Sequence, residues 1–472
     1  MTTLDEFTQP TAGQTIDPTL ETLRSRVTGQ VVTECDPGYD AARAGFNLHF
    51  DQRPAIIVVA ATSQDVAEGV RFAADHGLRV TIRATGHGPG REPSGAVMIN
   101  TSALTDVRID REQRTATIGA GAKWGAVLGP AQQHGLAPLL GSTTDVGAVG
   151  YTLGGGMGWL ARQYGLCSDS ARTFELVTPD GTLLRTSATE HPEIFWALKG
   201  GGAGTLGVVT SMEIELYPVE TVYAGNLFYP IENARAVMTR WRDWVRDADR
   251  GLTSSVAIMH FPPLEFIPEP FRGRSFVIVR GCWSGDPDAG AELIDGWRQW
   301  RAPAMDTWGP LPFAAADAIS MDPTDPAPAM ATTEWFDALP DEAIDTILAT
   351  MIPEPGTPPL LLAAEIRHAG GAIAEYAPAA ANDLGRSGEF LLALITMVPE
   401  PQLGLVIEAA MRDARATLEP YVNGAAYLNF LEGEERASRA VTAYSPDNLA
   451  RLRRVKVALD PGNRFCHGFG II

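Results

Sequence analysis

Cysteine is scarce. Four occur in 472 residues, at Cys35, Cys167, Cys282 and Cys466, with no CxxC pair, so neither a disulfide framework nor zinc-ligand spacing is present. Positive charge is also short: 37 Lys and Arg against 57 Asp and Glu leave a formal charge of −20. That balance repels a nucleic-acid backbone and an anionic membrane surface. No apolar run approaches the length needed to span a bilayer. The start, MTTLDEFTQPTAG, carries neither the basic residues nor the apolar stretch of a secretory signal. The expectation is a cytoplasmic protein with no nucleic-acid or membrane partner and no metal; its oligomeric state is left open. The commonest chemical motifs are missing too. The chain has no GxxxxGK[ST] phosphate loop, no HExxH pair and no GxSxG elbow, which removes the usual nucleotide, metalloprotease and hydrolase readings.

Glycine, by contrast, is abundant, at 48 residues, and much of it falls in three loops: RATGHGPG, GSTTDVGAVGYTLGGGMG and GGGAGTLG. The last contains Gly202, Gly204 and Gly207 in GxGxxG spacing. It follows the helix-like PEIFWALK and runs into the strand-like LGVVTSMEIEL, the reverse of a dinucleotide-binding turn. Glycine lets main chain approach a ligand, and successive N–H groups can cradle phosphate. Three such loops point either to a large phosphate-bearing cofactor or to a fold rich in tight turns. Around them the chain divides into zones. Residues 54–118 read as strand, helix, strand, loop and short strands, with Ser63 as N-cap of SQDVAEGVRFAADHG and Gly77 as its stop. From about 220 to 410, alternating runs such as SSVAIMHF, SFVIVRGCW and LLLAAEIRH with helical DEAIDTILATM imply an open sheet backed by helices, interrupted by a loop at MDPTDPAPAM. The last sixty residues read as short strands and one charged helix, SPDNLARLRRVKVAL.

Taken in order, RATGHGPG, VGAVGYTLGGGMGWLARQYGLCSD, HPEIFWALKGGGAGTLGVVT, AYLNF and NLARLRRVKVALDPGNRF resemble the FAD-linked oxidases of the vanillyl alcohol oxidase superfamily, berberine bridge enzyme-like branch. The resemblance implies an α+β protein: a two-lobed FAD-binding (PCMH-type) domain from residues 1–215 and 415–472, with a substrate domain of antiparallel sheet backed by helices inserted at 216–414. It implies an FAD-dependent oxidase that removes a hydride from a small neutral or cationic organic molecule (alcohol, amine or natural-product intermediate). O2 would reoxidise the flavin to give H2O2, and members of the branch can couple oxidation to cyclisation. A flavin dehydrogenase with another acceptor, and a non-catalytic flavin-binding protein, are the rival readings.

The same resemblance assigns residues. His87 is the covalent anchor of the flavin, and Arg83, Thr85, Gly86 and Gly88 present main chain to the pyrophosphate. Many relatives carry a second link from a cysteine where this chain has Thr143. A hydroxyl cannot form that thioether, so a single link and a more covered site are expected. Ser142, Asp145, Gly147, Gly155, Gly156 and Gly158 line the cofactor, and the small Val146 suits oxygen reactivity. Asp169 and the main chain of Val208 and Val209 match positions near the pyrophosphate and adenine. Tyr427, Asn429 and Asn463 match segments that close over the flavin. For the catalytic base, GGxxxE spacing and strand alternation with Ile373 and Gly371 point to Glu375, with Tyr427 and Tyr444 in reserve; an exposed glutamate near a strand end is the plain alternative. The histidines other than His87 read as surface or capping residues, with His368 the one to test for a substrate-facing role. Trp308, Phe313, Trp335 and Phe336 supply aromatic surface or core in the middle zone.

Overall fold

Short apolar runs cut by glycine and proline make short strands, and in this computed structural model, which describes residues 18–472 apart from 266 and 355, they assemble three sheets. The stretch MTTLDEFTQPTAG lies outside the described residues. The first sheet holds β1 (Gln30–Thr33), β2 (Ile56–Val59), β3 (Val80–Arg83) and β4 (Val97–Asn100), in the order β1-β2-β4-β3. Its last three strands are parallel, so the link from β2 to β3 must cross over. The helix Ser63–Asp75 does this, burying Val66 and Val70. Thr62 rather than Ser63 caps it: the Thr62 side chain accepts from the Asp65 N–H and the Asp65 carboxylate answers, a reciprocal pair that Ser63 at the first helical position cannot make.

The second sheet is antiparallel, with β5 (Val107–Asp110), β6 (Thr115–Gly119), β7 (Ala171–Val177), β8 (Leu183–Ser187) and β9 (Val208–Glu215) in the order β5-β6-β9-β7-β8. The third, also antiparallel, takes β10 (Thr221–Pro230), β11 (Leu252–His260), β12 (Ser275–Trp283), β13 (Met305–Asp306), β14 (Gly309–Pro312), β15 (Ala329–Phe336), β16 (Ala363–His368) and β17 (Phe390–Met397). Its order is β13-β10-β12-β11-β16-β17-β15, with β14 also on β10.

Strand alternation gives this large sheet two unlike faces. One face, carrying Val256, Val279, Ile366 and Leu392, is buried with Trp241, Trp297, Ile344 and Met411 of four backing helices (Ala234–Val245, Pro287–Trp300, Asp341–Met351, Gly404–Leu418). The other face turns to the glycine loops, and there Arg367 lies over the ring of Phe430, 5.2 Å from its centroid.

The C-terminal zone differs from expectation. Among the described residues, 413–472 contain no strand. Leu428–Phe430 and Ala440–Ala443 are single 3-10 turns, and Ser445 caps the helix Pro446–Leu459 through the Asn448 N–H. The apolar runs here are too short to add to a sheet, and their backbone is tied elsewhere: the Val80 N–H on β3 donates to Arg464 O at 2.9 Å. The buried Lys456–Asp460 pair, 2.6 Å apart, fixes the turn that follows the helix.

Candidate functional site

The loop RATGHGPG leaves the end of β3, and its glycines set the histidine. Gly86 has φ +78, and a Cβ there would stand 2.5 Å from Gly45 Cα, so only glycine lets the segment Gly45–Asn47 lie alongside. That segment hydrogen-bonds like a strand: the Phe46 N–H donates to Thr85 O at 3.0 Å and the Asn47 N–H to Gly86 O at 3.2 Å. The result puts the Phe46 ring flat against His87, centroids 3.7 Å apart and planes 17° from parallel. On the other side His87 Nε2 meets Asp145 Oδ2 at 3.2 Å, and Asp145 Oδ1 takes a hydrogen bond from Lys123 Nζ. Burial pushes the His87 imidazolium pKa down, against the opposing pull of Asp145, so the ring is neutral near neutral pH.

The second loop meets the first here. Asp145 belongs to it, and the Asp145 N–H donates to Thr143 Oγ1 at 3.3 Å, so Thr143 shapes the turn that aims this carboxylate. Thr85 packs against Gly147, where a Cβ would sit 3.2 Å from it. Ser142 Oγ donates to Asp322 Oδ2 at 2.5 Å, and the Thr144 N–H to Asp317 Oδ1 at 2.7 Å, which pins the loop to the segment after β14. Val146 gives its carbonyl to the Trp124 N–H at 3.0 Å. The glycines further on serve packing at their side-chain positions. A Cβ at Gly156 would strike the Tyr151 ring at 2.4 Å, and one at Gly158 the Leu140 carbonyl oxygen at 1.7 Å; at Gly155 the Asn382 amide is 3.1 Å away. Tyr151 is wrapped by them. The Asn429 amide donates to Tyr151 O at 2.9 Å, and Tyr427 Oη accepts the Met157 N–H at 2.7 Å. Burial raises the Tyr427 phenol to about 12 and Tyr151 well above its usual range, so both keep their protons.

Opposite these loops the large sheet presents a polar row that sequence reasoning did not pick out. Ser255 on β11 is the cross-strand partner of both Arg280 on β12 and Arg367 on β16. Glu365, two residues from Arg367, shares their face and accepts from Ser255 Oγ at 2.7 Å and from Arg367 Nε at 2.8 Å. Arg280 approaches Glu365 at 4.0 Å. Burial alone would raise the Glu365 pKa; the two guanidiniums and the Ser255 hydroxyl outweigh it and hold the carboxyl below its ordinary range. The signal was present in LLLAAEIRH, where period-2 spacing places Glu365 and Arg367 together.

Several expected residues lie elsewhere. Glu375 is not on a strand face: Gly370 and Gly371 have φ +71 and +52, which stops the sheet, and Glu375 ends the one-turn helix Ala372–Glu375. Its side chain is 60% exposed and pairs with Arg250 at 3.2 Å. A solvated, paired carboxylate there has no buried pocket to face. Tyr444 is buried, with its hydroxyl committed to Gly201 O at 3.0 Å behind the third glycine loop. His368 is buried on the helix side of the sheet, tilted against Phe390 at 5.7 Å, because it alternates with Arg367. His260 is likewise an interior residue, bonded to Ser275 Oγ at 2.7 Å and Met351 O at 2.8 Å. Asn463 bonds near the start of β3, through Arg79, about 13 Å of strand from the His87 loop. Val208 and Val209 are core residues whose main chain pairs with Val177 and Leu176. Asp169 is bound by Arg386 at 2.8 Å. Gly88 faces Arg436, whose Nη2 would lie 2.7 Å from a Cβ. Trp308, Phe313, Trp335 and Phe336 are all core; Trp335 alone is clustered with Tyr427. Cys167 is buried against Thr152 Oγ1 at 3.1 Å, a packing residue.

Comparison with known proteins agrees with this geometry. A family model described as FAD binding domain matches residues 54–187, and one described as Berberine and berberine like matches residues 426–472. The uncharacterized FAD-linked oxidoreductase YgaK of Bacillus subtilis (strain 168) is 32% identical over 239 residues, 49% of this chain and 53% of that one; the match spans about half of that relative. (R)-6-hydroxynicotine oxidase of Paenarthrobacter nicotinovorans is 28% identical over 475 residues, 94% of this chain and 97% of that one. The crystal structure of 6-hydroxy-D-nicotine oxidase from Arthrobacter nicotinovorans superposes with a TM-score of 0.79 at 24% identity, covering 94% of this chain and 98% of that one. The fold is therefore the PCMH-type FAD-binding fold of the FAD-linked oxidoreductases. Within that class, the chain is similar to the berberine bridge enzyme-like FAD-linked oxidoreductases, through the two matched segments and a relative aligned over nearly its whole length.

The residues present fit FAD. Arg83 is buried at the root of the His87 loop, and among the described residues only its Nη2 has a partner, Ala42 O; Nε and Nη1 have none. Burial and the neighbouring Arg43 lower its pKa to about 10, a cost that an anionic group such as a phosphate would relieve. Tyr151 Oη and Asn429 Oδ1 are also buried without partners among the described residues, a donor and an acceptor next to the second loop.

Proposed function

We propose that this protein is an FAD-dependent oxidase that removes a hydride from a small organic substrate, with the flavin joined through His87 alone and reoxidised by O2 to H2O2. The observation that carries this reading is the clamp on His87 between Phe46 and Asp145, opposite a buried polar row on the large sheet. The similarity to an oxidase over nearly the whole chain supports it. The sheets support the division into residues 1–215 and 415–472 around an insert at 216–414.

The chain's own groups have distinct parts in this reading. His87 is neutral and therefore nucleophilic; with Nε2 held by Asp145, Nδ1 is the nitrogen left to form the link. Thr143 offers a hydroxyl, not a thiol, so no second link forms. Arg83 would hold phosphate, and Tyr151 and Asn429 would line the flavin. When bound, FAD supplies the hydride acceptor. Glu365 replaces Glu375 as the carboxylate facing the substrate. Being ionised, it accepts a hydrogen bond from a substrate O–H or N–H and orients it, while the protonated Tyr427 acts as a donor and not as a base. Val146, by resemblance, leaves oxygen a path.

The test is to reduce the purified yellow protein anaerobically with a substrate found by peroxide release, then admit air. Rapid return of the flavin absorbance is the expected result. Recovery only with a quinone or protein acceptor means a dehydrogenase, and protein that binds no flavin ends the reading.

A further inference from the structure

On the buried polar row the charges do not cancel. Arg367 is satisfied: it contacts Glu365 through both Nε and Nη2 at 2.8 Å and lies over Phe430. The charge of Glu365 is thereby matched by Arg367, and Arg280 is left over. Arg280 is 5% exposed; among the described residues its nearest carboxylate oxygen is at 4.0 Å, its Nη2 reaches only the weak acceptor Met259 Sδ at 3.1 Å, and its Nε has no partner. A buried guanidinium served this poorly is costly unless a ligand completes it. Its cross-strand neighbour Asn226 is fully buried, and Asn226 Oδ1 has no partner among the described residues either. In the next cross-strand row, the one that also holds Glu365, the same face continues into an apolar cluster of Phe228, Phe276 and Ile278 packed with Met259 and Phe271.

We propose that Arg280 binds a carboxylate of the substrate, so that this enzyme acts on an organic acid with an apolar or aromatic body. The planar fork of a guanidinium matches a carboxylate in two parallel hydrogen bonds, and Asn226 Oδ1 stands beside it to accept an O–H or N–H of the same molecule. The net positive charge of the row disfavours a cationic substrate, which replaces the neutral or cationic class expected from resemblance. This inference rests on the proposed placement of substrate against this face of the sheet.

The experiment titrates the purified, flavin-loaded protein with benzoate, benzamide and benzylamine by calorimetry, with flavin absorbance recorded in parallel. Benzoate should bind about tenfold tighter or more than the other two, the worth of one charge-assisted contact. Arg280→Gln should erase that preference with flavin content unchanged, and Arg280→Lys should keep part of it. Equal affinities, no measurable benzoate binding, or a benzoate preference that survives in Arg280→Gln would overturn the proposal. If Arg280→Gln does not fold, the comparison of the three probes on the wild type and on Arg280→Lys decides. Calorimetry reads binding without the flavin, so a colourless protein that still prefers benzoate defeats the oxidase reading and leaves this one standing.

Discussion

Replacing Glu365 by glutamine removes one charge and almost no volume from a buried part of the site. In the wild type this carboxylate accepts from Ser255 at 2.7 Å and Arg367 at 2.8 Å and stands 4.0 Å from Arg280. In Glu365→Gln, two guanidiniums remain largely out of water without their nearest counter-charge, and only the more distant Asp322 still acts on Arg367. Breaking a buried pair from one side costs roughly 3–5 kcal/mol, so a loss of about 3 kcal/mol is expected, because the amide oxygen keeps one hydrogen bond. Guanidinium chloride unfolding at pH 7 should show a lower midpoint at an unchanged slope. Glu365→Gln/Arg367→Gln should be less damaged than the sum of its single changes, since removing both partners leaves no orphan on that pair. A pH series adds a sign. The Glu365 pKa is depressed in the folded state, so its contribution is complete above the unfolded carboxyl value and is lost as pH falls through the folded one. The variant should lack that part of the acid-side loss. A single variant that unfolds at the wild-type denaturant concentration refutes the electrostatic account of this row.

Three further outcomes follow from the same geometry. The intact mass of the wild type should exceed the polypeptide by one FAD, and His87→Ala should release its yellow colour on acid precipitation; colour retained in that variant places the link elsewhere. If Thr143 excludes a second link only by lacking sulfur, His87→Ala/Thr143→Cys should hold flavin through denaturation, and a colourless pellet counts against that position. His368 is pushed down to about 3 by burial and by Arg162. Protonation therefore favours the unfolded chain, and stability should fall as pH drops from about 6.5 towards 3, by at most about 1.4 kcal/mol per pH unit; His368→Gln should flatten that slope, and an unchanged slope refutes it.

Much of the fold was legible because it rests on local signals. The glycine loops, the strands from β2 to β4 and the helix–sheet alternation of the middle zone all follow from period and punctuation. What was not legible depended on which face of a strand meets which neighbour. LLLAAEIRH places Glu365 and Arg367 on one side and His368 on the other with certainty, yet nothing in those nine letters says which side four helices will cover. The choice fell on His368, and the backing helices took that side. Glu375 failed for a different reason. Alternation was carried across Gly370-Gly371, and a glycine pair is the usual place for a strand to end. Tyr444 was indistinguishable from Tyr427 in sequence; only the position of Gly201 shows that its hydroxyl is already spent.

The glycines themselves divide in a way that composition conceals. All three loops suggested main chain laid open to a ligand, yet Gly156 and Gly158 have their side-chain positions filled by Tyr151 and Leu140, and Gly86 by Gly45. At these positions the absence of a side chain brings protein against protein. The consequence for the site is indirect and strong. Gly86 lets Phe46 stack on His87; Gly156 and Gly158 let Tyr151 sit buried with its hydroxyl unpaired. A methyl group at either place would displace an aromatic ring or the main chain before it touched any ligand. The first two loops thus act as moulds for three aromatic or imidazole rings, Phe46, His87 and Tyr151, and in the function proposed above these rings and Arg83 face the flavin while the Arg280–Glu365–Arg367 row faces the substrate.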